Sequence, residues 1–190
     1  EFPVTPTLAV NKGEGWRVSL EATALATIIR KTLFAAAKGN GHYGIVGLYL
    51  EAQPKFIALT AIDGYVLAHC REQATLTSDA AIKGNACTAI IPPQAAALAS
   101  KAFAKYEGIV DIIISGDCIA FSTPTAEISQ RLVEGSFPKY QDVIPLDRNI
   151  EYQATANKAQ LVQAIELATA IAPEWSNYGP RSVAMQWSAG

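Results

Sequence analysis

The sequence predicts an α+β protein made of two βαβββ units and part of a third. Three observations lead to this class. An apolar stripe at helical spacing follows a short strand, three strand-like runs separated by turn residues come next, and the whole order then repeats. A single unit cannot cover the apolar faces of its own helix and strands, so two consecutive units are expected to pack as one domain.

The first unit begins with a short strand at 16–18, after which Ser19 is a good N-cap for a helix running to about Lys38. Strands are then expected at 45–51, 56–63 and 65–71, with Asp63-Gly64 as the hairpin turn between the last two. The apolar stripe of the helix, which predicts one buried face, consists of Leu25, Ile28, Ile29, Leu33 and Ala36.

The second unit repeats this order. Pro92-Pro93 follow a strand at 87–91 and open an alanine-rich helix that runs to about Tyr106, because proline fits the first helical position. Its three further strands are expected at 109–115, 118–122 and 127–133, with turns at Gly116-Asp117 and Pro124.

A third unit starts after residue 150. Asn157 can cap a helix over 158–172, and Gln160 three positions on completes a capping-box pattern. The helix stripe of Leu161, Ile165 and Ala168 needs a covering surface, and a strand at 182–188 should follow. The predicted domains are therefore 1–149, with two units, and 150–190, an incomplete third domain.

The composition is that of an ordinary globular protein. Half of the 190 residues are hydrophobic, 17% are charged and the formal net charge is −2, which argues against a disordered or fibrous chain. No signal peptide is recognised and no apolar run reaches the ~18 residues of a membrane span. Cys70, Cys87 and Cys118 lack disulfide or zinc spacing, so we expect buried thiols in a reducing cytosol and a cytoplasmic protein.

Catalysis and cofactor binding have little support in the sequence. The loop GNGHYG, residues 39–44, matches G-x-G-x-x-G by letter, but the dinucleotide motif needs a strand before it and a helix after it, the reverse of the order here. The histidines His42 and His69 lie far from a convincing nucleophile, and no paired-carboxylate or metal-ligand spacing appears. We expect no enzyme activity, no cofactor and no metal.

Two stretches resemble one protein family. RLVEGSFPKYQDVIP, residues 131–145, resembles the loop that closes the middle domain of bacterial sliding clamps, the β subunit of DNA polymerase III. ALTAIDGYVLAHC, residues 58–70, resembles a strand-turn-strand signature of that family, and the opening EFP resembles the start of the same domain. The resemblance covers essentially the whole chain, from the second of three clamp domains to midway through the third.

The resemblance implies the clamp fold, with paired helices on one face of antiparallel sheets, and we expect both units to lay their helix on the same side of a shared sheet. Members form homodimeric rings that encircle duplex DNA and tether the polymerase. In this family the helices face the DNA, and the binding has no sequence preference. The basic residues on both helices of this chain agree with this arrangement. The expected DNA-facing residues are Arg30, Lys31, Lys38, Tyr43, Lys101 and Lys105.

The resemblance also implies a groove that binds short, partly apolar peptides of the polymerase III catalytic subunit and the clamp loader. Arginines of the family are replaced here by Val66 and Asp142, and a basic pair at the start of the second helix is replaced by Pro93 and Gln94. These losses of charge would alter the preference for acidic peptides and weaken the DNA face. The middle-domain wall of the groove would comprise Ile45, Ile62, Gly64, Tyr65, Val66, Leu67, Pro138, Asp142 and Val143.

Three functions stay open at this point. The chain could be a DNA-processivity clamp or a fragment of one, or a free-standing clamp-like module that binds partner peptides or itself without surrounding DNA. A small enzyme on an unrelated α+β fold would need a pocket lined by convergent polar groups. The ordinary alternative for the helix lysines is a solvated surface, and for Phe137 and Tyr140 a plug against the sheet.

Overall fold

The computed structural model describes residues 15–37, 46–78, 86–144 and 153–171, together with the short stretches 175–176, 179–180 and 183–186. The chain divides into two compact units, Glu1–Tyr140 and Gln141–Gly190. Among the described residues, the first unit holds nine strands and two α-helices, and the second holds one α-helix and two very short strands.

The first compact unit runs twice through the order strand, helix, strands, with one additional strand. Its elements are β1 (Trp16–Glu21), α1 (Ala22–Thr32), a 3₁₀ turn (Leu33–Ala35), β2 (Leu48–Gln53), β3 (Phe56–Ile62), β4 (Leu67–Gln73), β5 (Thr75–Ser78), β6 (Cys87–Ile91), α2 (Pro93–Phe103), β7 (Ile109–Ser115), β8 (Cys118–Ser122) and β9 (Glu127–Arg131). A second 3₁₀ turn, Tyr140–Asp142, follows at the end of the unit.

The two βαβββ units exchange their first strands. One antiparallel sheet has the order β5-β1-β7-β8-β9 and the other the order β4-β3-β2-β6. Strand β1 of the first βαβββ unit therefore pairs with β7 of the second, and β6 of the second pairs with β2 of the first. The expectation of one shared sheet is wrong in this respect, because each leading strand crosses to the other meander.

The two helices pack against each other, as predicted, and α1 also contacts strands of both sheets. The Ser100 hydroxyl donates a 3.3 Å hydrogen bond to the carbonyl of Ala26 on α1. Apart from Phe103, the buried side chains of α2 are alanines, which permit close packing. These helix faces belong to one core cluster with the inward strand residues. The buried helix residues are Ala22, Leu25, Ala26, Ile28, Ile29, Thr32, Ala95, Ala96, Ala99 and Phe103.

The start of α1 differs from the prediction. Ser19 is not the N-cap; it lies in β1, where its hydroxyl donates a 2.6 Å hydrogen bond to Asp111 Oδ1 on β7. Glu21 occupies the N-cap position without a side-chain cap bond, because the β1–β7 ladder extends to the pair Glu21↔Ile109. Pairing between strands distant in sequence has taken precedence over a local capping signal.

Several element ends also differ from the prediction. The helix α1 stops at Thr32, whose hydroxyl donates to the Ile28 carbonyl at 2.9 Å, and the chain tightens into the 3₁₀ turn. The helix α2 opens at Pro93 as predicted but ends at Phe103, short of Tyr106. Strand β9 ends at Arg131, whereas β7 and β8 have the predicted bounds. Strand β5, which was not predicted, pairs with β1.

The second compact unit contains α3 (Lys158–Ile171), β10 (Trp175–Ser176) and β11 (Gly179–Pro180). Asn157 caps α3 as predicted, since its Oδ1 accepts from the N–H groups of Ala159 at 3.0 Å and Gln160 at 3.2 Å. No residue of α3 is buried. The short hairpin β10–β11 was not predicted, and the described part of the predicted strand at 182–188, residues 183–186, has no strand structure.

Cys87 and Cys118 are buried, Cys70 is half-buried, and all three are free thiols. Burial raises the pKa of Cys87 to about 11, and it is also the main cause of the raised pKa of Cys118.

Within the described ranges, no helix combines the length and the apolar character that crossing a bilayer requires. The same ranges contain no group of three or more His, Cys, Asp or Glu residues that could hold a metal ion.

Candidate functional site

The turn between β3 and β4 is held by the carboxylate of Asp63. Its Oδ1 accepts from the backbone N–H groups of Tyr65 at 2.9 Å and Val66 at 2.8 Å, and the Asp63 N–H donates to the Val66 carbonyl at 3.3 Å. These N–H donors, Val66 first, lower the pKa of Asp63. Gly64 has φ of +102°, a left-handed value that glycine adopts without strain. The side chain of Asp63 therefore fixes the turn locally.

This turn presents apolar side chains to solvent. Tyr65 is 80% exposed and Val66 is 44% exposed, while Ile62 and Leu67 are half-buried and face each other at the ends of β3 and β4. We call Ile62, Gly64, Tyr65, Val66 and Leu67 the hairpin wall. The structure thus brings together five of the nine residues predicted for the groove.

A loop that follows β9 crosses the outer face of the sheet β4-β3-β2-β6. The N–H of Leu132 donates to the Asp117 carbonyl at 2.7 Å, and the N–H of Val133 donates to the Ile90 carbonyl at 2.9 Å. Farther along, the Phe137 ring stacks on Tyr49 of β2 with centroids 4.9 Å apart and planes 8° from parallel. The interpretation of Phe137 as a plug against the sheet is confirmed.

Tyr140 anchors the far end of this loop. Only 5% of it is exposed, its hydroxyl donates to the Glu51 carboxylate on β2, and its ring stacks on His69 of β4 with centroids 5.4 Å apart. His69 Nδ1 in turn shares a 2.9 Å hydrogen bond with the hydroxyl of the fully buried Thr60 on β3. Burial, followed by the bond to Glu51, raises the pKa of Tyr140 to about 12, which keeps the proton on the phenol.

Pro138 lies between these two aromatic anchors and is half-buried, and its carbonyl accepts the Tyr140 N–H at 2.8 Å. We call residues 137–140 the loop wall and the contacts among Glu51, Thr60, His69 and Tyr140 the Tyr140 cluster.

Asp142 and Val143 belong to the second compact unit and are exposed, Val143 at 65%. Of the predicted groove residues, Ile45 lies outside the described part of the chain.

The loop wall was recognisable in the sequence, but the side chains that hold it in place were not assigned that role. Tyr49, Glu51 and Thr60 were simply parts of strands, and His69 was weighed only as a possible catalytic group. A signal was present in the alternation of β2, where Tyr49 and Glu51 separate the buried residues Leu48, Leu50 and Ala52. This alternation indicates that Tyr49 and Glu51 lie on the outer face of the sheet, where they can meet a segment that crosses it.

The basic helix residues are exposed. Arg30 and Lys31 lie on the last turn of α1, Lys101 lies on the last turn of α2, and Lys105 follows the end of α2. The ion pairs between described residues join Arg17 to Asp111 and Arg131 to Asp117, so none of the four helix cations takes part in them. The other two predicted DNA-facing residues, Lys38 and Tyr43, lie outside the described residues.

The cleft beside the loop has a volume of about 440 Å³. Its lining includes Thr88, Asp117 and Glu134 but no His, Cys, Lys or Arg among the described residues. Asp117 is already paired with Arg131 at 3.7 Å.

Comparison with known proteins identifies the family. The sequence model of the family described as "DNA polymerase III beta subunit, central domain" matches residues 19–139, well over half of the chain. The chain belongs to the DNA polymerase III β subunit family. The matched range contains α1, α2, the strands β2 to β9 and the end of β1, together with the hairpin wall and the loop wall as far as residue 139.

The beta sliding clamp of Pseudomonas aeruginosa is 27% identical over 190 residues, which are 100% of this chain and 49% of that protein. The beta sliding clamp of Bacillus subtilis is 24% identical over 177 residues, 93% of this chain and 44% of that protein. The chain thus spans about half the length, or less, of the curated relatives it matches.

Solved structures show the same fold. A sliding clamp from Bacillus subtilis superposes with a TM-score of 0.73 at 21% identity, covering 93% of this chain and 44% of that one. A DNA polymerase III subunit β from Pseudomonas aeruginosa superposes with a TM-score of 0.74 at 23% identity, covering 90% and 45%. The α+β clamp fold implied by the sequence is confirmed, including its antiparallel sheets and paired helices.

Proposed function

We propose that this chain is part of a DNA sliding clamp, which gives processivity by encircling duplex DNA and docks its partners through a peptide groove. The observation that carries the proposal is the combination of two separate surfaces on one clamp domain. Cations without described ion-pair partners lie on the helices, and an exposed apolar hairpin lies beside the loop wall. The role is binding rather than catalysis, and a replication role implies the cytoplasm.

The DNA contact proposed for the helices is electrostatic and independent of sequence. Four phosphate contacts, by Arg30, Lys31, Lys101 and Lys105, would give a log-log salt slope of about −3.6 and a dissociation constant of roughly 10⁻⁴ to 10⁻⁶ M. Such binding is weak and short-lived. Long residence on DNA therefore requires a closed ring, built with a second chain and with the remaining length that the relatives have.

The docking surface is proposed to take short peptides of the polymerase III catalytic subunit and the clamp loader. Exposed apolar side chains beside a rigid aromatic loop suit peptide anchors, which bind most tightly in desolvated pockets. The sliding clamps of Bartonella birtlesii and Pseudomonas aeruginosa have been solved bound to griselimycin, at 26% and 24% identity to this chain. We propose griselimycin as a ligand of this chain as well.

Two of the predicted groove residues and the domain boundary also stay proposals. Asp142 and Val143 stay predicted groove residues, and the replacement of family arginines by Val66 and Asp142 would alter the preference for acidic peptide residues. The boundary is placed after residue 149, within a stretch, 145–152, that lies outside the described residues. Residues 150–190 would then begin the third clamp domain, of which α3 is the described helix.

Ring closure is tested on the full-length clamp that is proposed to contain this chain, by loading it on nicked circular DNA with clamp loader and ATP and then linearising the DNA. A ring stays on the circle in high salt and leaves when the circle is cut. Retention lost on linearisation supports the clamp. Failure to load, combined with binding of griselimycin, would instead favour a free-standing peptide-binding module and would overturn encirclement.

A further inference from the structure

The two walls of the groove are attached to the same patch of the sheet. The register pairs Ile62 with Leu67 at the ends of β3 and β4, and two residues farther along it pairs Thr60 with His69. Side chains two residues apart on a strand share a face, at a spacing of about 6.8 Å. The hairpin wall and the Tyr140 cluster therefore lie next to each other on the outer face of the sheet.

Tyr140 connects this patch to the loop wall. Its ring rests on His69 of β4, its hydroxyl reaches Glu51 of β2, and its N–H holds the Pro138 carbonyl at 2.8 Å. The ring also meets Tyr49 edge to face, with centroids 6.3 Å apart, and Tyr49 carries Phe137. One residue thus contacts two strands of the sheet and the proline that is expected to face the peptide.

We propose that Tyr140 is a positioning residue for peptide docking, because it sets the separation between the hairpin wall and the loop wall. This inference rests on the proposed docking function and assigns a specific residue to it. The hydroxyl of Tyr140 is required, because it donates a hydrogen bond to the Glu51 carboxylate, which can act only as an acceptor. Phenylalanine would keep the stacking but leave the Glu51 carboxylate without this donor, so the loop would leave its position for part of the time.

The test compares Tyr140→Phe with Tyr106→Phe, the same chemical change in a tyrosine that packs on Phe103 instead. Griselimycin affinity is measured by titration calorimetry, and release of the loop is measured by the rate of trypsin cleavage after the exposed Lys139. We expect Tyr140→Phe to bind griselimycin about threefold to tenfold more weakly, because the apparent affinity scales with the fraction of closed loop. Cleavage should be faster by at least as large a factor, because its rate scales with the fraction of open loop. Tyr106→Phe should change neither.

Variants of Glu51 separate positioning from general stability. Glu51→Gln keeps an oxygen acceptor for the phenol and should retain the affinity of the unaltered chain, whereas Glu51→Ala should behave like Tyr140→Phe. Glu51→Ala also replaces Tyr140→Phe in the test should the latter fail to fold.

Two negative results are distinguishable. Griselimycin affinity equal in the unaltered chain, Tyr140→Phe and Glu51→Ala would overturn the positioning role alone. Absence of griselimycin binding by the unaltered chain would overturn the proposed docking function, and the positioning role with it.

Discussion

The hydroxyl of Ser19 donates a 2.6 Å hydrogen bond to Asp111 Oδ1, which joins the first strand of one βαβββ unit to the meander of the other. Asp111 Oδ2 also accepts from Arg17 on the same strand at 3.0 Å. One carboxylate on β7 therefore serves two donors on β1. Strand β1 is therefore held against β7 by side-chain hydrogen bonds as well as by backbone pairing.

Replacing Asp111 with alanine should lower the free energy of unfolding by about 1–3 kcal/mol, because two donors lose their charged acceptor and that of Ser19 is partly buried. Arg17→Ala should cost less than about 1 kcal/mol, since this ion pair is solvent-exposed. Urea denaturation measures both. The control is Arg131→Ala, which breaks the looser exposed pair with Asp117 and should have a small effect. Equal, small effects of Asp111→Ala and Arg131→Ala would contradict this account.

Local signals in the sequence predicted local structure well. The strands β7 and β8 have their predicted bounds because alternation and the Gly116-Asp117 turn define them within a few residues. Asn157 caps α3 for the same reason. The strand exchange could not be predicted in this way, because Ser19 carries a good local cap signal and its actual partner is 92 residues away.

The candidate site also combines features that are local in the sequence with contacts between residues far apart in it. The turn at Asp63-Gly64 and the aromatic loop were recognisable as short motifs, and the resemblance led to the prediction that they are walls of a groove. The Tyr140 cluster joins four segments, with Glu51 and Tyr140 separated by 89 residues. Only the fold brings these side chains together, so the residue that fixes the loop was assigned at first no more than the role of a plug.

Close packing of the helices depends on small side chains on α2. Ala99 is fully buried, and the extra methylenes of Ala99→Leu should lower the free energy of unfolding by about 1–3 kcal/mol through overpacking. Ala102→Leu makes the same change at an exposed position of the same helix and should have little effect. Thermal or urea unfolding distinguishes the two variants. A similar cost for both would mean that helix propensity, and not packing, decides the outcome.

Acid should loosen the β3–β4 turn through Asp63. Its folded pKa lies below the ordinary value of 3.8, so its contribution to stability is present above that pH and is lost as the pH falls through the lowered pKa. The stability gap between the unaltered chain and Asp63→Ala should therefore shrink below about pH 3.8 in urea titrations. Asp63→Asn keeps the Oδ1 acceptor without a titrating group, so its gap to Asp63→Ala should not vary with pH.

Removal of two helix cations should reduce the salt dependence of DNA binding. For the double variant Arg30→Ala/Lys31→Ala, the log-log salt slope measured by fluorescence anisotropy with duplex DNA should become less steep by about 1.8, since each phosphate contact contributes about 0.9. The double variant Lys55→Ala/Lys139→Ala removes two exposed cations outside the helices and should leave the slope unchanged. Equal changes of the slope in the two double variants would indicate that DNA binding depends on the total charge of the chain and not on the helix residues.

The central claim is that one clamp domain carries two independent surfaces, a helix face for duplex DNA and a hairpin-and-loop groove for a peptide-like ligand. Its most direct test is the affinity of the chain for duplex DNA at low salt, measured with and without saturating griselimycin. We predict the same DNA affinity in both conditions. Competition between griselimycin and duplex DNA would contradict the account, because it would place both ligands on a single surface.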